Sequence, residues 1–127
     1  MCFCVSTNDQ QQVIFNRDLR NHVYYAFGQA ASSEIKRGRH CSLALDENMN
    51  ILAKYVNKGR EHAESGVSKI LNKKGIKAHL VLVVRTTLTG EMRISKPCDN
   101  CYAAMRDAKV KHCMYSTGHF QFKSELL

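Results

Sequence analysis

Residues 78–86 read Ala78-His79-Leu80-Val81-Leu82-Val83-Val84-Arg85-Thr86, nearly all apolar and rich in β-branched side chains. A strand with one wet face alternates apolar and polar residues. A strand without that alternation is covered on both faces and belongs in the middle of a sheet. Working outward, the flanking periodicity is helical. Leu19, Val23, Phe27 and Ala30 or Ala31 recur at helical spacing between about Arg17 and Arg37, and Ala63, Val67, Ile70 and Leu71 do so between His62 and Lys73. Gly75 is suited to end that second helix. A third helix is expected from near Cys98 to about Ala108. Short strands are expected at 41–45 and 51–56, around the polar turn 46–50, then at 92–96, 111–116 and 119–123, with a tight turn at Thr117-Gly118. Strands alternating with helices predict an α/β fold in two or three layers: a central mixed β-sheet of about five strands flanked by helices. Residues 1–16 read as a lead-in or a short edge element, and 17–127 as one domain.

The chain has 127 residues, 44% of them hydrophobic, enough for one core and inconsistent with a disordered chain. The longest apolar run, Leu80 to Val84, is far short of the roughly 18–20 residues that span a bilayer, so no membrane association is expected. The first residues carry neither a basic segment nor a sustained apolar stretch, which predicts no signal peptide and an intracellular, cytoplasmic setting. In that setting Cys2, Cys4, Cys41, Cys98, Cys101 and Cys113 are expected as thiols or metal ligands rather than disulfides. Nineteen Lys and Arg against eleven Asp and Glu leave a formal charge of +8. That surplus attracts anions such as nucleotide phosphate or nucleic acid, although a solvated basic surface would read the same way.

Two helix starts carry the chemistry. One is His62-Ala63-Glu64 and the other Pro97-Cys98-Asp99-Asn100-Cys101. Proline is well placed beside a helix start, where its missing N–H costs nothing. Cysteines three apart in a first turn face one side, and the helix N-terminus favours their thiolates, the ligating form. One imidazole and two thiolates make a Cys2His set for Zn2+, a known catalytic arrangement whose fourth position is left for water. Glu64, two residues from the histidine, is then placed to carry protons. Each piece has a plainer reading. Cys-x-x-Cys alone also fits a redox pair, or a structural zinc closed by Cys41, His112 or Cys113.

His-Ala-Glu followed after some 35 residues by Pro-Cys-x-x-Cys resembles the signature of the cytidine-deaminase superfamily, the zinc-dependent deaminases that include the CMP/dCMP type. The resemblance covers about residues 40–123, since the order of strands and helices also agrees. It implies a cytidine-deaminase fold, His62, Cys98 and Cys101 as zinc ligands, and Glu64 as the catalytic acid/base. It also implies substrate contacts at Asn57, which follows a strand as the family's sugar-contacting asparagine does, and at Ala63. The activity implied is hydrolytic deamination of a nucleobase, foremost cytosine of a nucleoside or nucleotide to uracil with release of ammonia. An adenine or guanine deaminase, an RNA- or DNA-editing deaminase, and a non-catalytic zinc-stabilised nucleic-acid-binding module stay open, as does a homo-oligomer.

The chain departs from each branch of that superfamily. Free-nucleoside enzymes usually have cysteine where His62 stands and glycine where Asp99 stands. Nucleic-acid branches usually insert a helix before the last strand, yet only a few residues separate Ser116 from Phe120. That connection is too short for a parallel return and predicts an antiparallel hairpin. The short segment between Asn57 and His62 leaves little material for a lid. Arg60 is the preferred phosphate contact, with Lys36, Arg37, Arg39 and Lys58 as further candidates. Phe27, Tyr55, Tyr115, Phe120 and Phe122 could stack a base, although their spacing also suits a core.

Overall fold

The computed structural model describes residues 4–7, 17–33, 39–57 and 61–127. In chain order the elements are β1 (Cys4–Thr7), α1 (Arg17–Ala31), β2 (Arg39–Leu45), β3 (Ile51–Val56), α2 (Ala63–Lys74), β4 (Leu80–Thr86), β5 (Met92–Arg93), α3 (Asp99–Asp107), β6 (His112–Gly118) and β7 (Gln121–Leu126). The sheet order is β1-β7-β6-β4-β2-β3, with the two-residue β5 pairing with β4 off that path. β4 has partners on both sides, and its first five residues are fully buried. The run at 80–84 is therefore apolar throughout because both of its faces are covered. The sheet is wider than the expected five strands, because β1 joins the edge parallel to β7 and β5 fills a gap beside β4.

Alternation along each strand divides the core in two. Leu43, Leu45, Leu80, Leu82, Val84, Met114, Phe120 and Phe122 face α1 through its Leu19, Val23, Ala26 and Ala30. Ala44, Val81, Val83, Cys113 and Tyr115 face Val67 and Leu71 of α2 and Met105 of α3. The result is three layers, helix over sheet over helices. β4 and β6 run parallel with α3 on the crossover, whereas β6 and β7 form the expected antiparallel hairpin.

The element ends moved where side chains outside the pattern decided them. α1 stops at Ala31, short of the expected 37, and the Ser32 hydroxyl donates to the Gln29 carbonyl in the terminal turn. The final hairpin turns at His119-Phe120 rather than at Thr117-Gly118, with Gly118 paired to Gln121. Phe120 adopts a left-handed φ of 54° there. It reaches the core beside Phe27, at 5.5 Å between ring centroids, and that burial offsets the backbone strain. Gly75 ends α2 as expected, at φ 66° with its N–H on the Asn72 and Leu71 carbonyls. Among the described residues, no helix is long and apolar enough to cross a membrane.

α2 is seated on β3 through one close approach. Tyr55 lies flat against Gly66, where a Cβ would collide with the ring. Gly66→Ala should therefore destabilise the protein by about 1–3 kcal/mol despite alanine's better helix propensity. In urea unfolding, the penalty should shrink sharply in a Tyr55→Ala background.

Candidate metal centre

The N-termini of α2 and α3 meet over the carboxyl-terminal half of the parallel strands β4 and β6, toward the end where open α/β sheets place their ligands. Two sets of serine hydrogen bonds bring them there. On one side the buried Ser42 hydroxyl of β2 donates to the Ala63 carbonyl in the first turn of α2, at 2.6 Å. On the other, β4 and β6 separate after Val83, and the segment 92–98 enters the gap. Ser95 closes it. Its N–H donates to the Ser116 carbonyl at 2.7 Å, its hydroxyl donates to the Val83 carbonyl at 3.0 Å, and that oxygen lies 2.7 Å from the Ser116 hydroxyl. The buried Pro97 then leads into Cys98, whose carbonyl accepts from the Tyr102 N–H to open α3.

His62 is the N-cap residue of α2 and Cys98 that of α3. His62 Nδ1 lies 3.3 Å from Cys101 Sγ and 3.6 Å from Cys98 Sγ, and the two sulfurs are 3.4 Å apart. A tetrahedral zinc, with sulfur at about 2.3 Å and nitrogen at about 2.0–2.1 Å, separates such atoms by about 3.5–3.8 Å. The observed triangle is within a few tenths of an ångström of that. These three residues form a group that can hold a metal ion, and the donor set suits zinc. None of Cys41, His112 or Cys113 joins the group among the described residues. Cys41 lies in the α1-facing core, and His112 packs edge-on against His79, 5.0 Å between ring centroids. Among the described residues the group thus offers three candidate ligands and no fourth.

Glu64 is only 4% exposed and its carboxylate hydrogen-bonds Cys101. Burial first, then the Glu64 carboxylate, push the Cys101 thiol well above its ordinary range. Cys113, beneath them on β6, is pushed the same way by burial, then by Glu64 and Glu125. A buried carboxylate beside a cysteine is a setting that a divalent cation would suit. Cys98 and His62 are exposed and line an open cleft of ≈ 410 Å³ with Glu61, Ser65, Lys69, Asn100 and Cys101.

The other candidates are distributed differently. Asn57 is buried, and its side-chain oxygen accepts from the His40 N–H at 2.8 Å, tying the end of β3 to β2. Ala63 is buried at the start of α2. Arg39 donates to the Ala31 carbonyl at 2.8 Å and so caps α1. Arg60, Lys36, Arg37 and Lys58 lie outside the described residues. Of the stacking candidates, Tyr115, Phe120 and Phe122 are core, Phe27 packs against that core, and Tyr55 lies on α2. The sequence reading passed over Ser42, Ser95, Ser116 and Gly66. Serines in apolar strands carry no periodic signal, and their partners are distant in sequence.

In sequence comparison the chain matches no protein-family model and no curated protein.

Because the Cys101 thiol must lose its raised proton to ligate, metal binding should release protons. Apparent zinc affinity should rise at least about tenfold per pH unit through neutrality, measured by competition with a chromophoric chelator. Ser95→Ala, which leaves buried groups on Val83 and Ser116 without a partner, should cost about 1–3 kcal/mol of stability and weaken zinc binding in the same assay.

Proposed function

We propose that this chain is a zinc-dependent hydrolytic deaminase with a cytidine-deaminase-like fold, removing the exocyclic amine of a nucleobase, foremost cytosine. One observation carries the reading. His62, Cys98 and Cys101 present three ligand atoms with no fourth among the described residues, and the buried carboxylate of Glu64 lies beside Cys101. A structural site would be closed by a fourth residue and has no use for a buried carboxylate at its edge. The layer order and the antiparallel last hairpin agree with the fold that the motifs imply.

Bound in that triangle, zinc would supply Lewis-acid activation of water at neutral pH. The remaining work falls to the chain itself. Glu64 takes a proton from the attacking water as its oxygen adds to the amine-bearing carbon, and gives that proton to the ring nitrogen. The second water proton then passes through Glu64 to the amine, the carbon–nitrogen bond breaks, and the products are ammonia and the oxo base. Two hydrogen bonds keep the Glu64 backbone in place: its own carbonyl accepts the Ser68 hydroxyl at 2.7 Å, and the Ala63 carbonyl before it accepts the Ser42 hydroxyl. Asn57, Ala63 and Arg60 are the substrate contacts in this reading.

Ammonia release by the zinc-loaded protein should appear with at least one of cytidine, deoxycytidine, CMP, dCMP, adenosine, guanine, and single-stranded DNA or RNA. Glu64→Gln should retain zinc and lose about 10²- to 10⁴-fold in rate. Tight zinc binding with no turnover across that panel would point instead to a non-catalytic module.

A further inference from the structure

Cross-strand pairing places three basic side chains in a row beside the metal cleft. His40 on β2 is opposite Arg85 on β4, and Arg85 is in turn opposite Arg93 on β5. Residues on one strand alternate between faces, so the row can be assigned to a side. Val83 faces α2 and α3, hence Arg85 does too, and Ser42 touches the start of α2, hence His40 does as well. The row therefore lies on the metal-bearing face. It is two residues, about 7 Å, beyond Ser42 and Val83, which anchor the two ligand helices.

Among the described residues, the two arginines of the row have little to balance their charge. Like charges directly opposite on antiparallel strands repel. Arg85 is half-buried and makes no ion pair among the described residues. Arg93 meets only Glu91, at 3.0 Å, with both side chains more than half exposed, a pairing that solvent screens. Asn57 fixes the backbone at His40, so the first member of the row is held rather than mobile. An anion between or along two opposed arginines relieves their repulsion and meets their paired N–H donors.

We propose that His40, Arg85 and Arg93 form a track for the phosphodiester backbone of a single-stranded nucleic acid, leading its base to the metal cleft. The row crosses two inter-strand spacings, about 10 Å, which exceeds one phosphate and suits consecutive ones. Arginine is the side chain suited to such oxygens, through paired N–H donors. The open cleft admits a base that is part of a larger molecule. This assignment rests on the deaminase reading for its purpose, yet binding can be measured without turnover.

The test is fluorescence anisotropy of the zinc-loaded protein with a short labelled single-stranded oligodeoxynucleotide, titrated at several salt concentrations. Arg85→Gln/Arg93→Gln should weaken binding about tenfold or more at moderate salt, and lower the slope of log affinity against log salt by about 1.4. The single Arg93→Gln, on an exposed side chain, should give about half that slope change with unaltered thermal unfolding. Lys109→Gln/Lys111→Gln removes equal charge at the far end of the sheet and should leave the slope much nearer the wild-type value. The track is overturned if the oligonucleotide does not bind, or if the two double variants lose equally. It is also overturned if CMP or dCMP competes as well as the oligonucleotide, because one phosphate would then suffice. Loss of ammonia release with this binding pattern intact would count against the deaminase reading alone.

Discussion

Two helix N-termini must be held within ligand distance of each other, and nearly everything else in the molecule follows from that demand. His62 and Cys98 are both N-cap residues, on helices that share no local sequence. Their meeting depends on hydroxyls buried in the sheet: Ser42 holding the Ala63 carbonyl, and Ser95 bonded to both Val83 and Ser116. A buried hydroxyl without its partner costs more than the bond contributes when made, so these contacts define position sharply. The separation of β4 from β6 is part of the same arrangement. Parallel pairing stops at Val83, and the gap admits the segment that delivers Pro97 and Cys98.

The far side of α3 is anchored by a second polar group. Glu125 on β7 accepts the Tyr102 hydroxyl of α3 at 2.5 Å and the Tyr115 hydroxyl of β6 at 3.0 Å. Burial opposes the charge of Glu125, but the two tyrosines and the nearby Lys123 and Lys96 hold its carboxyl below the ordinary range. Burial and the Glu125 contact push the Tyr115 hydroxyl up to about 12, so it stays a donor at any physiological pH. The carboxylate thus connects helix, central strand and last strand. The first turns of α3 are thus held twice: by Ser95 through the preceding segment, and by Glu125 through Tyr102.

The reactive end of the protein has a distinct charge character from its centre. Inside the site the Glu64 carboxylate is buried beside the Cys101 thiol, while on the rim Arg85 is opposite Arg93. In the proposed function the first feature suits a divalent metal and the second a phosphate-bearing substrate. A net charge of +8 gives the sign of that attraction but not its place.

The chain's own pattern was enough for the α/β class, the burial of 80–84, the amphipathic faces of the first two helices, the final antiparallel hairpin and the grouping of His62, Cys98 and Cys101. Those features rest on short-range periodicity or on chemistry that needs few residue types at fixed spacing. Tertiary structure decided the rest. Only the fold shows that β1 joins β7, that the last turn falls at Phe120 because its ring reaches the α1 core, and that Tyr55 requires Gly66. Only register puts Arg85 opposite Arg93, because pairing between strands is a long-range choice that neither residue encodes locally. The aromatic residues show the same division. Their spacing suited stacking and core alike, and it was burial against α1 and α2, available only once the sheet closed, that assigned Tyr115, Phe120 and Phe122 to the core.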